Sequence, residues 1–70
     1  MADVVVNLTE YGKRSAEDIT GNGLKYRVLS LLYQRGMMST SEIAEELGIS
    51  GTKARMAVNS LIAEGKVREE

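Results

Sequence analysis

Seventy residues, 43 % hydrophobic and 27 % charged, describe one small folded domain, 1–70, and not a disordered tail or a multidomain chain. The sequence has no cysteine and no histidine, which removes disulfides, thiolate zinc sites, Cys or His nucleophiles and the commonest metal ligand, so neither a metal nor a cofactor is expected. Nine basic against ten acidic side chains give a net charge of −1, so any grip on nucleic acid has to come from local distribution and not from the sum.

Residues 1–8, MADVVVNL, favour an extended chain because Val4, Val5 and Val6 are β-branched. Alternation puts Val4, Val6 and Leu8 on one face of this strand and Val5 and Asn7 on the other. A helix is predicted over 9–20. Thr9 is a good N-cap and Glu10 suits the helix dipole. Tyr11, Ser15 and Ile19 are spaced four apart on it, and Gly12 weakens it by up to about 1 kcal/mol relative to alanine. Tyr11 reads as a packing residue with its hydroxyl in water, and Lys13 and Arg14 as a solvated face. The TGNG stretch from Thr20 to Gly23 reads as a plain turn.

Residues 24–35, LKYRVLSLLYQR, form the most hydrophobic helix, with Leu24, Val28, Leu31 and Leu32 on a stripe and Leu29 alongside. Tyr26 and Tyr33 share a face beside that stripe. Either they bury their rings against another element or they form a dimer contact. Gly36 ends the helix, and Met37 and Met38 follow as adaptable core filling.

Residues 40–47 and 51–64 read as two helices around a tight turn. Ser39 and Ser41 are both candidate N-caps of the first; Ser39 has Glu42 three residues on, the capping-box pattern. Ile43, Ala44 and Leu47 form its apolar face. Gly48 suits the left-handed residue that ends a helix, Ile49 plugs the turn, and Ser50 caps the next helix. That helix carries Ala54, Ala57, Val58, Leu61 and Ile62 on one stripe. Its opposite face shows Thr52, Lys53, Arg55, Met56, Asn59 and Ser60, and no acidic residue lies between Ser50 and Ala63. Residues 66–70, KVREE, read as a strand with Val67 facing in and Lys66 and Arg68 facing out.

The runs Glu42-Ile43-Ala44, Leu47-Gly48-Ile49-Ser50 and Leu61-Ile62-Ala63-Glu64-Gly65-Lys66-Val67 resemble the winged helix-turn-helix family of transcriptional regulators. The resemblance covers roughly 24–67, and it implies a short first strand at Met37 and Met38. It implies an α+β fold: a three-helix core, an N-terminal helix and a small antiparallel sheet, with 51–64 as the recognition helix. The family's wing needs two strands after that helix, and the stretch 66–70 supplies one. In winged-helix regulators of the MarR and PadR groups, a "Leu-Thr-x-x-Gly-basic" stretch follows the second wing strand. Leu8-Thr9-Glu10-Tyr11-Gly12-Lys13 resembles it at the opposite end of this chain, which implies a permuted layout. The strand over 4–8 is then expected to pair antiparallel with the strand of Val67, within one chain or across a swapped dimer.

A regulator is expected to bind double-stranded DNA through Ser50, Thr52, Lys53, Arg55, Met56, Asn59 and Ser60. In that arrangement Asn59 and Arg55 meet base edges, while Lys53, Ser50 and Thr52 meet phosphate. Homodimerisation through the 9–20 helix and the two tyrosines is expected as well, because two-fold regulators read two half-sites. The alternative is a winged-helix adaptor that binds protein and not DNA, favoured by the acidic balance. An enzyme is not expected, since carboxylates, Lys or Tyr would need a pocket that so small a domain could hardly enclose. With no apolar run of bilayer length and no signal-peptide profile, the expectation is a cytoplasmic protein without a membrane partner.

Overall fold

The computed structural model describes residues 3–18 and 23–70. Along them run β1 (Val5–Leu8), α1 (Glu10–Glu17), α2 (Leu24–Arg35), β2 (Met38–Ser39), α3 (Thr40–Leu47), α4 (Gly51–Ala63) and β3 (Val67–Glu69). The three strands form one antiparallel sheet in the order β2-β1-β3, so the first strand of the chain is its middle strand. On one side Leu8 faces Val67, Asn7 faces Arg68 and Val6 faces Glu69; on the other, Val5 faces Ser39 and Val6 faces Met38.

The pairing expected between the two terminal strands is present within one chain. Its alternation is the one the sequence carries: Val6, Leu8 and Val67 are buried and Val5 is exposed. The second partner, β2, overlaps the short strand that the family resemblance places at Met37 and Met38; two residues are too few to show a period of two. It is held as an edge by Thr40 N–H, which donates to the Val4 carbonyl at 2.9 Å.

The sheet lies against the helices, and Val6, Val28, Leu29, Ile43, Ala54, Val58 and Leu61 are wholly shut from solvent in the shared core. On α2 the buried residues are Val28, Leu29 and Leu32, while Leu24 and Leu31 are only partly covered. The stripe is therefore turned toward Leu29, since α2 packs against α1 and the sheet as well as against α4. Tyr26 and Tyr33 are both exposed; Tyr33 donates its hydroxyl to Glu17 at 2.9 Å.

Predicted boundaries shift at several ends: β1 begins at Val5, α1 begins at Glu10, and β3 ends at Glu69. α1 stops at Glu17, with Asp18 as its C-cap, three residues short of the predicted end. Ile19 and Thr20, the Gly21–Asn22 turn, and Met1 and Ala2 lie outside the described residues. α4 closes at Ala63 with Glu64 as cap, and β3 begins at Val67 and not at Lys66. Lys66 does not point freely outward: its amine lies 3.3 Å from Glu64 and 5.9 Å from the centre of the Tyr11 ring.

The Thr9–Gly12 segment locks the first strand and helix onto the end of α4. Thr9 N–H donates to the Lys66 carbonyl at 3.0 Å, and its hydroxyl donates to the Gly65 carbonyl at 2.7 Å. The same hydroxyl oxygen caps α1 by accepting from Gly12 N–H at 3.0 Å. A β-carbon on Gly12 would sit 1.9 Å from the Lys66 carbonyl oxygen, so only glycine allows this approach. The threonine and glycine of the "Leu-Thr-x-x-Gly" stretch thus have one mechanical task, docking a helix start on a helix-to-strand turn.

Candidate nucleic-acid interface

The α3–turn–α4 unit is set by caps at each corner. Ser39, and not Ser41, is the N-cap of α3. Its hydroxyl accepts from Glu42 N–H at 3.1 Å, and the Glu42 carboxylate accepts from Ser39 N–H at 2.9 Å. Gly48 closes α3 in the left-handed region at φ 66°, and Ile49 N–H then reaches back to the Ala44 carbonyl at 3.0 Å. Ser50 accepts from Lys53 N–H at 3.1 Å and starts α4. Buried Ala54, Ala57, Val58 and Leu61 fix the rotation of α4 against the core, and Ile62 is half-buried beside them.

That rotation decides where each candidate residue stands. Thr52, Lys53, Met56, Asn59 and Ser60 are exposed, as is the cap Ser50; Arg55 is half-buried. At about 100° per helical residue, Thr52, Met56, Asn59 and Ala63 form the outermost stripe, opposite the buried face. Lys53 and Ser60 fall on one flank and Arg55 on the other, so the two cations are about 160° apart. The sequence pattern groups them on one polar face; the helix separates them. Arg55 Nε donates to Asn59 Oδ1 at 3.3 Å, one turn along.

On the Lys53 flank, Lys53, Met56, Ala57 and Ser60 meet Leu24 and Lys25 of α2 around an open, largely apolar groove of about 370 Å³. Lys25 has no counterpart among the residues expected from sequence. Only the packing of α2 on α4 brings it beside Lys53, and no local pattern encodes that. Its amine is ion-paired to Glu64, which also holds Lys66. The Lys25 hydrogen bond, then that of Lys66, holds the Glu64 carboxyl below the usual carboxylate range. The carboxylate that pairs with Lys25 is thereby matched by two cations.

The acidic side chains of α3 are accounted for separately. Glu42 serves the capping box, Glu46 pairs with Arg35 at 2.6 Å, and Glu45 is exposed. Among the described residues there is no group of His, Cys, Asp or Glu that could hold a metal ion, and no helix is long and apolar enough to cross a membrane.

The combination is specific. A capped helix, a left-handed glycine turn and a second helix with an outward acid-free face sit on a three-stranded sheet. Residues 22–68 match the sequence pattern of winged helix-turn-helix DNA-binding domains. No curated protein and no solved structure matches the chain. With two helices and their turn in this geometry and the match spanning α2 through β3, the chain belongs to the winged helix-turn-helix DNA-binding family.

Proposed function

We propose that this protein is a transcriptional regulator that lays α4 in the major groove of double-stranded DNA. The observation that carries the reading is the outward face of α4, polar, mildly cationic and free of carboxylates, at the position where helix-turn-helix proteins present their recognition helix. In this reading Thr52, Met56 and Asn59 face base edges. Lys53 with Ser60 on one flank, Arg55 on the other, and Ser50 at the helix start meet the phosphates on either side of the groove. The unit is a single domain over 1–70, acts by binding and not by catalysis, and works in the cytoplasm where the DNA is accessible to it. The Thr9–Gly12 docking favours kinship with the MarR and PadR groups, with the wing strand and trailing helix placed first in the chain.

The test is titration with random duplex DNA at low salt, following backbone amides by NMR. Amides of 50–60 are expected to shift. The double substitution Lys53→Ala with Arg55→Ala is expected to abolish binding and leave the unfolding free energy within about 0.5 kcal/mol of wild type, since neither residue lies in the core. Absence of binding to any duplex would turn the reading toward a protein-binding adaptor, which the exposed Met56 beside its groove and the net charge of −1 favour.

We also propose a homodimer. Tyr26 and Tyr33 are 42 % and 49 % exposed on α2, and Tyr11 on α1 is 57 % exposed, so aromatic surface is available on α1 and α2. Sedimentation at high protein concentration is expected to give twice the chain mass; a monomer mass there rules the dimer out.

A further inference from the structure

We infer that α4 reads A·T base pairs, through apolar contact with the thymine methyl group and amide hydrogen bonds to the adenine edge. This rests on the proposed major-groove role of α4 and names the chemistry of its target.

The outermost stripe of α4 is Thr52, Met56, Asn59 and Ala63, without a charge on it. Met56 is 64 % exposed, more than any other large apolar side chain among the described residues, and stands at the middle of the stripe. Guanine is read in the major groove by an Arg or Lys that donates to O6 and N7, and cytosine by a carboxylate that accepts from N4. Neither reader is on this stripe. No carboxylate occurs between Ser50 and Ala63, Lys53 lies on the flank with Lys25, and Arg55 is half-buried with its Nε bonded to Asn59. What the stripe does carry is methyl and thioether surface, suited to the C5-methyl of thymine, and one carboxamide, suited to adenine N6 and N7.

Arg55 acts here as a positioning residue. Its Nε–H takes one lone pair of Asn59 Oδ1, which fixes the amide so that Nδ2 carries the donors on the other side. The second lone pair of Oδ1 stays free to accept from adenine N6 while Nδ2 donates to N7. The remaining N–H groups of Arg55 stay available to a phosphate at the groove edge.

The test compares short alternating duplexes by fluorescence anisotropy at low salt, using dA–dT, dA–dU and dG–dC. The first two differ only in the thymine methyl. The wild-type protein is expected to bind dA–dT about fourfold or more tighter than dA–dU, the effect of one buried methyl group, and about tenfold tighter than dG–dC. Met56→Ala, at an exposed position, is expected to erase the dA–dT over dA–dU preference. Arg55→Ala is expected to keep that preference but lose discrimination between adenine and 7-deazaadenine, a ratio that a merely structural role would not move. Equal binding to dA–dT and dA–dU, or tighter binding to dG–dC, overturns the inference and leaves DNA binding standing. A methyl preference that survives Met56→Ala overturns it too. Failure to bind any of the three duplexes overturns both the inference and the reading beneath it.

Discussion

Gly12 shows how one residue can read as a defect in sequence and as a requirement in the fold. In an isolated helix it costs about 1 kcal/mol against alanine. In α1 it is the point where the backbone of the helix meets the Lys66 carbonyl, with no room for a β-carbon. Gly12→Ala should therefore lower stability in urea unfolding by about 1–3 kcal/mol, the overpacking cost exceeding the helix-propensity gain. Gly51 is the control. It opens α4 with nothing within 4 Å of where its β-carbon would be, so Gly51→Ala should stabilise by about 0.4–1 kcal/mol. If both substitutions move the midpoint in the same direction, the close approach at Gly12 is not what selects glycine there. Arg55 makes the parallel point for the candidate interface. Its type and number are legible in the sequence, but its half-buried flank position and its bond to Asn59 follow from the rotation of α4 against the core.

β1 organises more of the molecule than its four residues suggest. It is paired on both sides, and its lead-in clasps the start of α3: Asp3 Oδ1 accepts from the Ser41 hydroxyl at 2.6 Å, from Thr40 Oγ1 at 3.1 Å and from Ser41 N–H at 3.2 Å. The Ser41 hydroxyl bond is the main cause of a carboxyl held below its ordinary range, as the Lys25 bond is for Glu64. Both groups have folded values depressed below their unfolded ones. Their stabilisation is present above the unfolded carboxylate values and is lost as pH falls through the lower folded values. The thermal midpoint should hold from neutral pH to about pH 5 and decline below about pH 4, and Asp3→Asn together with Glu64→Gln should make that decline shallower. Deleting residues 1–8 should destabilise the whole domain, because it removes the middle strand and two buried side chains, Val6 and Leu8. A truncated protein that melts with the full-length one would show β1 to be an appendage. At this scale the sequence is legible where punctuation is local. Gly23 and Gly36 bound α2, Ser39 and Gly48 bound α3, and the predicted limits of both helices hold. Local pattern is silent where structure is made by a partner far along the chain, as for β2, whose two residues show no period and are placed only by the family resemblance.

For the molecule as a whole, the two strands nearest the ends of the sequence, β1 and β3, lie side by side in one sheet. β3 follows α4 in the chain, and β1 lies antiparallel beside it. Glu70 N–H donates to the Val5 carbonyl at 2.8 Å, so the outgoing end of β3 and the incoming end of β1 are neighbours at the place a hairpin turn would occupy. A domain whose stability resides in its packed core and paired sheet should tolerate moving the break in its chain to another exposed loop. The prediction is a circular permutant: a short Gly/Asn linker from Glu70 to Asp3, with the chain reopened at exposed Gly23. β3 and β1 then become a hairpin, their pairing no longer has to close a loop through nearly the entire sequence, and local pairing speeds folding. The permutant should keep the wild-type pattern of hydrogen-exchange protection in β1, β3 and α4, melt cooperatively, and refold faster than the parent. Lost protection at Val6 and Val67 would mean that the strand pairing depends on the chain's own order and not on the shared core.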